Sequence, residues 1–239
     1  MDKIVSLAKR RGFIFPSSDI YGGISGFWDY GPLGIELKNN IKKRWWSDMV
    51  YKREDVVGID AAIVMNSQVW VASGHTKAFT DPLVECRSCN QRFRADKIEN
   101  NTCPHCQAEN NFTEPKKFNL LMEALLGTVE PKEKVYLRGE ITQGVFVNFE
   151  NVLKTNRVKI PFGIAQIGKA FRNEITPGNF TYRSREFEQM ELEFFIAPNE
   201  EEGKKWFEYW KELRWRWYID LGIKEKNLRF YEHKPNEKA

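Results

Sequence analysis

The feature that most constrains the fold is the segment 164–196, in which two runs able to form strands flank the turn-rich sequence ITPGNFTYRS. Pro177, Gly178 and Asn179 supply the backbone conformations that tight turns require. The segment therefore predicts an antiparallel hairpin with a long connecting loop.

Side chains alternate between the two faces of a strand, so this hairpin has one apolar and one charged face. Met190, Leu192, Phe194 and Ile196 share the apolar face, which predicts a core. The charged face consists of Gln166, Arg172 and Glu174 from the first run and Arg185, Phe187, Gln189, Glu191 and Glu193 from the second. A solvated face of an antiparallel sheet would tolerate such a pattern. Burying it without ligands would be costly, and the order F-R-x-E, loop, R-x-R-E-F favours a nucleotide site.

All four cysteines of the chain fall into two close pairs, Cys86-x2-Cys89 and Cys103-x2-Cys106. Two such pairs can meet at one tetrahedral Zn(II), a closed and therefore structural site. Two disulfides are the alternative, but a cytosolic protein disfavours them. His105 lies between two proposed ligands and could replace one of them. The segment 84–117 is predicted to be an inserted zinc ribbon.

Composition indicates a globular protein, with 239 residues, 41% hydrophobic and 29% charged, enough for a substantial core. The net charge of +4 does not by itself imply nucleic acid. No apolar run approaches the roughly 20 residues that cross a bilayer, so no membrane association is expected. The start, MDKIVSLAKRRGF, lacks the apolar block of a secretory signal, and a cytoplasmic location is expected.

Periodicity predicts several helices. Pro32 opens one whose stripe, expected to be core, comprises Leu37, Ile41, Trp45 and Met49. A second, short helix is predicted for FNLLMEALLG, which Gly127 would end, and residues 136–147 are predicted to form a strand. A long helix is expected to begin at Asn199, with Glu202 completing a capping box, and to stop at Gly222.

The string FRNEITPGNFTYRSREFEQMELEFF resembles the second signature motif of the class II aminoacyl-tRNA synthetases, and in detail the dimeric glycyl-tRNA synthetases. FPSSDIYGG, WDYGPLGIELKNNIKKRWW, VGIDAAIVM, VWVASGH and LRGEITQGVFVNF extend the resemblance over nearly the whole chain. It implies an α+β fold, namely part of a class II synthetase-like antiparallel sheet with flanking helices, into which the zinc ribbon is inserted. The expected divisions are 1–83 with the dimer-interface helix and strand, 84–117 as the ribbon, and 118–239 with the ATP-binding hairpin, ending before the third class II motif.

The resemblance also implies an ATP site, in which ATP binds with Mg(II). Arg172 is expected at the α-phosphate, Glu174 at the adenine amino group or the tRNA end, and Arg183 and Arg185 at the outer phosphates, with Phe187 stacked on adenine. Arg172, Glu174 and Arg185 are the expected catalytic residues. The full ATP-binding set is Arg172, Asn173, Glu174, Tyr182, Arg183, Ser184, Arg185, Glu186 and Phe187.

A glycine site is implied by the same resemblance. Its expected residues are Arg94, Glu140, Phe187, Glu188, Gln189, Met190 and Glu191. Alternation places Glu188 away from Gln189 and Glu191. The family sequence R-P-E-T-A-Q-G is replaced here by R-G-E-I-T-Q-G, in which Glu140 and Gln143 match. His75 could be structural or could line the site.

The implied activity is ATP-dependent activation of glycine and its transfer to tRNA(Gly), by a homodimer of which this chain is expected to supply only part. The third class II motif, the later glycine-pocket segments and the anticodon-binding domain have no counterpart in the sequence. Two alternatives remain. One is a non-catalytic nucleotide- or RNA-binding protein, which Arg92, Arg94, Lys97 and Lys116 of the ribbon would allow. The other is one subunit of a split enzyme.

Overall fold

A computed structural model describes residues 2–234 of the chain. The chain divides into two compact units, one extending to Phe194 and the other beginning at Phe195. The α-helices of the described residues are α1 (Asp2–Arg10), α2 (Pro32–Trp46), α3 (Ser67–Ala72), α4 (His75–Ala78), α5 (Thr142–Asn156) and α6 (Glu200–Asp220). Within residues 2–234, no helix combines the length and the apolar character that crossing a membrane requires.

The strands form four small sheets. They are β1 (Ile14–Pro16), β2 (Trp28–Tyr30), β3 (Val56–Gly58), β4 (Val64–Met65), β5 (Thr80–Glu85), β6 (Arg92–Arg94), β7 (Lys116–Asn119), β8 (Met122–Leu126), β9 (Glu133–Leu137), β10 (Phe162–Phe171) and β11 (Glu186–Phe195). Their spatial orders are β1-β2, β11-β10-β3, β4-β9-β8 and β6-β5-β7. Together with the helices they make an α+β fold.

The hairpin predicted from the segment 164–196 is present as β10 and β11, which are neighbours in one sheet. Its loop closes on an antiparallel bridge in which Gly178 and Arg183 exchange backbone hydrogen bonds of 3.0 and 3.1 Å. The predicted antiparallel sheet also contains one parallel pair, because β3 pairs with β10 in parallel, with Gly163 opposite Val56.

The core of the first unit lies beneath this hairpin. Phe162, Ile164 and Ala165 of β10 are almost fully buried, and so are Ile141 and Val145 at the start of α5. The sheet therefore holds the beginning of α5 against the hairpin, which brings Glu140 close to the charged face.

Two secondary-structure predictions are wrong. FNLLMEALLG is not a helix, because β8 pairs with β9 along its whole length, from Met122 opposite Leu137 to Leu126 opposite Glu133. Residues 142–147 are helical rather than extended, since α5 begins at Thr142. In both places the short apolar run fits the residue spacing of a helix as well as that of a strand, and contacts with other segments determine which of the two forms.

Helix α2 begins at Pro32 as predicted, but its stripe is not wholly core. Trp45 and Met49 are buried, whereas Leu37 and Ile41 are exposed together with Leu33 one turn earlier. The exposed part of the stripe is an apolar face that nothing within residues 2–234 covers.

In the second unit, α6 begins where the capping signal predicts. The side chain of Asn199 accepts hydrogen bonds from the amides of Glu201 and Glu202, at 2.9 and 3.2 Å. Acidic residues in its first turn suit the positive end of the helix dipole. Past its end, Gly222 has a φ of 92°, which favours glycine.

Candidate active site and metal centre

The four cysteines come together beside the end of β5, which Cys86 directly follows. Their sulfur atoms all lie within 4.8 Å of one another. Cys86 Sγ is 3.6 Å from Cys106 Sγ, and Cys89 Sγ is 3.7 Å from Cys103 Sγ. Four sulfurs at about 2.3 Å from a tetrahedral Zn(II) would be about 3.8 Å apart, so the donor set fits that ion. These distances are too long for disulfides.

Backbone amides stabilise negative charge on one sulfur of this cluster, that of Cys103. Burial opposes ionisation of Cys103, but backbone hydrogen bonds from Cys106 and His105 lower the pKa of its thiol to about 6. Burial raises the pKa of the Cys89 thiol to about 12, and the neighbouring sulfurs of Cys106, Cys86 and Cys103 contribute to the rise. The cluster could therefore hold a metal ion. Within residues 2–234, the side chains that could ligate it are the four cysteines, and His105 is not one of them.

A cavity of about 770 Å³ opens beside the hairpin loop. Of the nine residues predicted to bind ATP, six line it: Arg172, Glu174, Tyr182, Arg183, Ser184 and Phe187. The hairpin loop also contributes Asn179 and Thr181 to the wall. This clustering of predicted residues makes the cavity the candidate nucleotide site.

Arg172 lines this cavity and contacts two aromatic rings. Its guanidinium carbon is 5.2 Å from the ring centres of both Phe79 and Phe187. Its Nε donates to the carbonyl of Gly139 at 3.0 Å, beside Glu140. The stacking fixes the plane of the guanidinium, and the hydrogen bond fixes its rotation.

Glu174, Arg183 and Arg185 hold the loop together. Arg183 Nε is 3.1 Å from Glu174 Oε2, and Glu174 is buried. Arg185 donates through Nε and Nη2 to the carbonyl of Glu174, and through Nη1 to that of Ser25 at 3.0 Å. The guanidinium of Arg185 thus ties the loop that ends at Gly26 to the hairpin. It does not line the cavity.

Glu140, the acidic group of the site, adjoins Arg172, which contacts the carbonyl of the preceding residue. His75 Nε2 is 3.3 Å from Glu140 Oε1. This contact is the main reason why the pKa of Glu140 lies below its ordinary value; burial opposes it, and Gln143 and Arg172 contribute to the lowering. Glu140 is therefore a carboxylate at neutral pH.

Gln189 and Glu191 form a hydrogen-bonded network with the start of α5. The amide of Ile141 donates to Gln189 Oε1 at 3.2 Å, and Gln189 Nε2 donates to Glu191 Oε1 at 2.7 Å. The hydroxyl of Thr142 donates to the other oxygen of Glu191. Burial raises the pKa of Glu191, against the effect of the Thr142 hydrogen bond. Both oxygens of Glu191 thus already have protein donors.

Three other residues predicted at the glycine site, Arg94, Glu188 and Met190, do not join this network, although Glu188 lines the nucleotide cavity. Glu188 is on the opposite face of β11, where Lys38 and Lys42 of α2 contact its two oxygens at 2.9 and 2.8 Å. Met190 shares that face by alternation. The guanidinium of Arg94 pairs with Asp81 and Asp96.

Besides Arg185, two residues of the predicted ATP set lie outside the cavity. The backbone amide of Asn173 donates to the carbonyl of Leu120 at 2.8 Å. Glu186 pairs with Lys169 across the hairpin.

Several important residues carried no distinguishing signal in the sequence. Phe79 stacks on Arg172 although it lies in an unremarkable turn. Arg138 is 1% exposed and donates to the carbonyls of Lys169 and Ala61, both at 2.6 Å, joining β10 to the segment before β4. Gln166, which alternation placed on the charged face, is fully buried beside Gly144 and Gly168, and the sequence did not indicate that burial. The assignment of His75 was left open, and its contact with Glu140 places it at the site.

Comparisons with known proteins agree with this geometry. Residues 126–237 match the family "tRNA synthetase class II core domain (G, H, P, S and T)". The chain also superimposes with a TM-score of 0.55 on a solved structure of the RNA binding domain of threonyl-tRNA synthetase from Cryptosporidium parvum. That alignment covers 89% of this chain and 40% of the other at 19% identity, so it bears on the fold alone. The family match and the hairpin both indicate a class II aminoacyl-tRNA synthetase core.

Within this class the chain is related to the glycine–tRNA ligases over its whole length. It is 54% identical to the enzyme of Thermobifida fusca and 55% identical to that of Streptomyces coelicolor, with 100% of this chain aligned in both cases. The ligase of Clostridium kluyveri is 53% identical over 99% of this chain. The resemblance seen in the sequence is thereby confirmed. The chain spans about half the length of these relatives, between 54% and 57%.

Proposed function

We propose that this chain supplies the ATP- and glycine-binding part of a glycine–tRNA ligase. The observation that carries the proposal is the position of Arg172, which lines the nucleotide cavity and also hydrogen-bonds to Gly139 beside the acidic group. A group at that junction is suited to contact the α-phosphate where the amino acid must attack it.

In the proposed reaction, a carboxylate oxygen of glycine attacks the α-phosphorus of ATP and the bond to the β-phosphate oxygen breaks. Glycyl-adenylate forms and pyrophosphate leaves with its Mg(II), which arrives as part of the ATP complex. Arg172 stabilises the negative charge that develops on the α-phosphate oxygens. Phe187, whose ring already stacks on Arg172, forms the adenine platform, and Glu174 or Arg183 contacts the rest of the nucleotide.

Glycine offers only an ammonium, a carboxylate and the absence of a side chain for recognition. Glu140 is the proposed ammonium ligand, because contact with His75 keeps it ionised and Arg172 lies close enough to lower its pKa further. Gln189 and Glu191 are proposed to hold the start of α5, and so Glu140, in place. Glu188 and Met190 are proposed to act only as support on the other face.

For the cysteine cluster we propose structural Zn(II). Cys86, Cys89, Cys103 and Cys106 would hold it, and the ion would supply cross-linking and charge neutralisation rather than chemistry. A reduced cysteine quartet suits the cytoplasm, the proposed location.

The remaining proposed partners are tRNA(Gly), which receives the glycyl group, and a second copy of the chain. The exposed face of α2 formed by Leu33, Leu37 and Ile41 supports a homodimer, since covering three adjacent apolar side chains is favourable.

Glycine-dependent exchange of pyrophosphate into ATP tests the proposal, with alanine and serine as control substrates. We expect exchange with glycine alone, and a loss of at least about 100-fold in Arg172→Ala, the scale reported for removing one transition-state donor. Arg11→Ala is the matched control, because Arg11 is exposed and distant in sequence from the site.

The exchange assay is run on the chain alone and with the unmatched half of a relative supplied in trans. Activity that appears only with the second half identifies a split active site and still supports the proposal. Retention of wild-type exchange by Arg172→Ala, or silence under both conditions, refutes it.

A further inference from the structure

One wall of the nucleotide cavity comes from the segment 84–117, here called the cysteine-rich module, rather than from the hairpin. Lys97 ends a short 3-10 turn, Ala95–Lys97, that directly follows β6, and it lines the same cavity as Arg172 and Arg183. Its side chain is exposed, and in residues 2–234 no carboxylate lies within salt-bridge distance of its ammonium. The other cations of β6 are paired, Arg92 with Glu85 and Arg94 with two aspartates.

Arg94 fixes the turn that carries Lys97. Its Nη1 donates to Asp81 of β5 at 2.7 Å, while Nε and Nη2 donate to both oxygens of Asp96 at 3.0 and 2.9 Å. Asp81 is buried. Because Asp96 immediately precedes Lys97, the bidentate pair holds the lysine at a defined place on the cavity wall.

The charges around the cavity favour an anion. Lys97, Arg172 and Arg183 contribute three positive charges. The carboxylate of Glu174 faces Arg183 at 3.1 Å, and that of Glu188 is balanced by two lysines of α2. A polyphosphate matches this arrangement, whereas a neutral ligand would leave Lys97 without a counter-charge.

We propose that Lys97 is a further nucleotide-binding residue that contacts the phosphate chain of ATP, and that Arg94 positions it. The inference rests on the proposed nucleotide site. It assigns the cysteine-rich module a part in substrate binding. The turn that carries Lys97 follows Arg94 at the end of β6, and Arg94 lies opposite Leu83 of β5, three residues before Cys86.

The test is equilibrium binding of three probes to the zinc-loaded chain: Mg·ATP, tripolyphosphate and adenosine. For Lys97→Met, which keeps the length of the side chain but removes its charge, we expect about tenfold weaker binding of ATP and tripolyphosphate. Adenosine binding should not change. Lys97→Arg should restore most of the affinity for both phosphate probes.

Lys116→Met is the matched control, because Lys116 is an exposed lysine of the same module that does not line the cavity. Wild-type affinity in Lys97→Met, or an equal loss in Lys116→Met, overturns the role of Lys97 alone. A parallel loss of adenosine affinity and of bound zinc shows a structural role and likewise overturns it. Failure of the unmutated chain to bind ATP overturns the proposed nucleotide site together with this inference.

Discussion

Substituting Gly144 by alanine tests the packing under the acidic group. Gly144 is in the first turn of α5, two residues after Thr142, and is buried. A Cβ added there would lie 2.6 Å from the Cβ of Ala61 and 3.1 Å from Gln166 Oε1. The first distance is far below van der Waals contact, and the Cβ of Ala61 cannot move without its backbone, whose carbonyl accepts a hydrogen bond from Arg138.

Two effects of this substitution oppose each other. Replacing glycine by alanine in a helix stabilises it by about 0.5–1 kcal/mol, because glycine loses more backbone entropy on folding. Overpacking a buried site costs about 1–3 kcal/mol. Since backbone must shift at Ala61, we expect the cost to win and Gly144→Ala to be about 1–2 kcal/mol less stable than the parent.

Urea denaturation measures the free energy of unfolding, with hydrogen exchange over α5 and α6 reporting each unit separately. Gly203→Ala is the matched control: Gly203 is also in the first turn of a helix, but its added Cβ would meet only Ile196 Cδ1 at 4.0 Å. This control should be stabilised. The double variant Ala61→Gly/Gly144→Ala should recover part of the loss, because the opposing methyl is gone. Equal stabilisation by both single substitutions would refute the packing argument.

The proposed metal and the proposed dimer lead to two further predictions. Chelation, or Cys86→Ser, should remove one equivalent of zinc and abolish hydrogen-exchange protection in β5–β7, while β10 and β11 stay protected. The reason is that a structural zinc contributes most of the folding energy of a small module. Freshly purified, reduced chain that contains well under one equivalent of zinc would contradict this prediction. Leu37→Glu should shift a homodimer towards monomer by at least about tenfold in sedimentation, because it introduces a charge into the apolar face of α2. Leu125→Glu, on an exposed strand position, should have no such effect, and identical behaviour of the two variants argues against that interface.

The parts of the fold with strong local signals could be predicted from the sequence. The hairpin, the start of α2 at Pro32 and the capping of α6 by Asn199 each rest on residues whose preference is set by their own backbone. The strand β8 could not be predicted in this way. Its apolar residues fit a helical period, and only pairing with β9, a partner several residues further along the chain, makes it extended.

The candidate site shows the same division. Alternation along β11 correctly separates Glu188 from Gln189 and Glu191, because the period of a strand is a local property. Phe79 and Asp81 could not be found, since their roles arise from segments that are distant in sequence: Phe79 meets Arg172 of the hairpin and Asp81 meets Arg94. Long-range contacts of common residue types leave no pattern in a single sequence.

The polar groups under the hairpin are better explained by geometry than by stability. Burying Arg138 lowers the pKa of its guanidinium through desolvation, a sign that this burial is unfavourable for the charge. A well-packed apolar side chain at such a position is often at least as stable. Arg138 instead provides a rigid connection. Its hydrogen bonds to the carbonyls of Lys169 and Ala61 join β10 to the segment 61–62 through one side chain. Glu140 follows two residues later, and Arg172 contacts the carbonyl between them. A charge that is costly to bury thus fixes the two side chains on which the proposed activation of glycine depends.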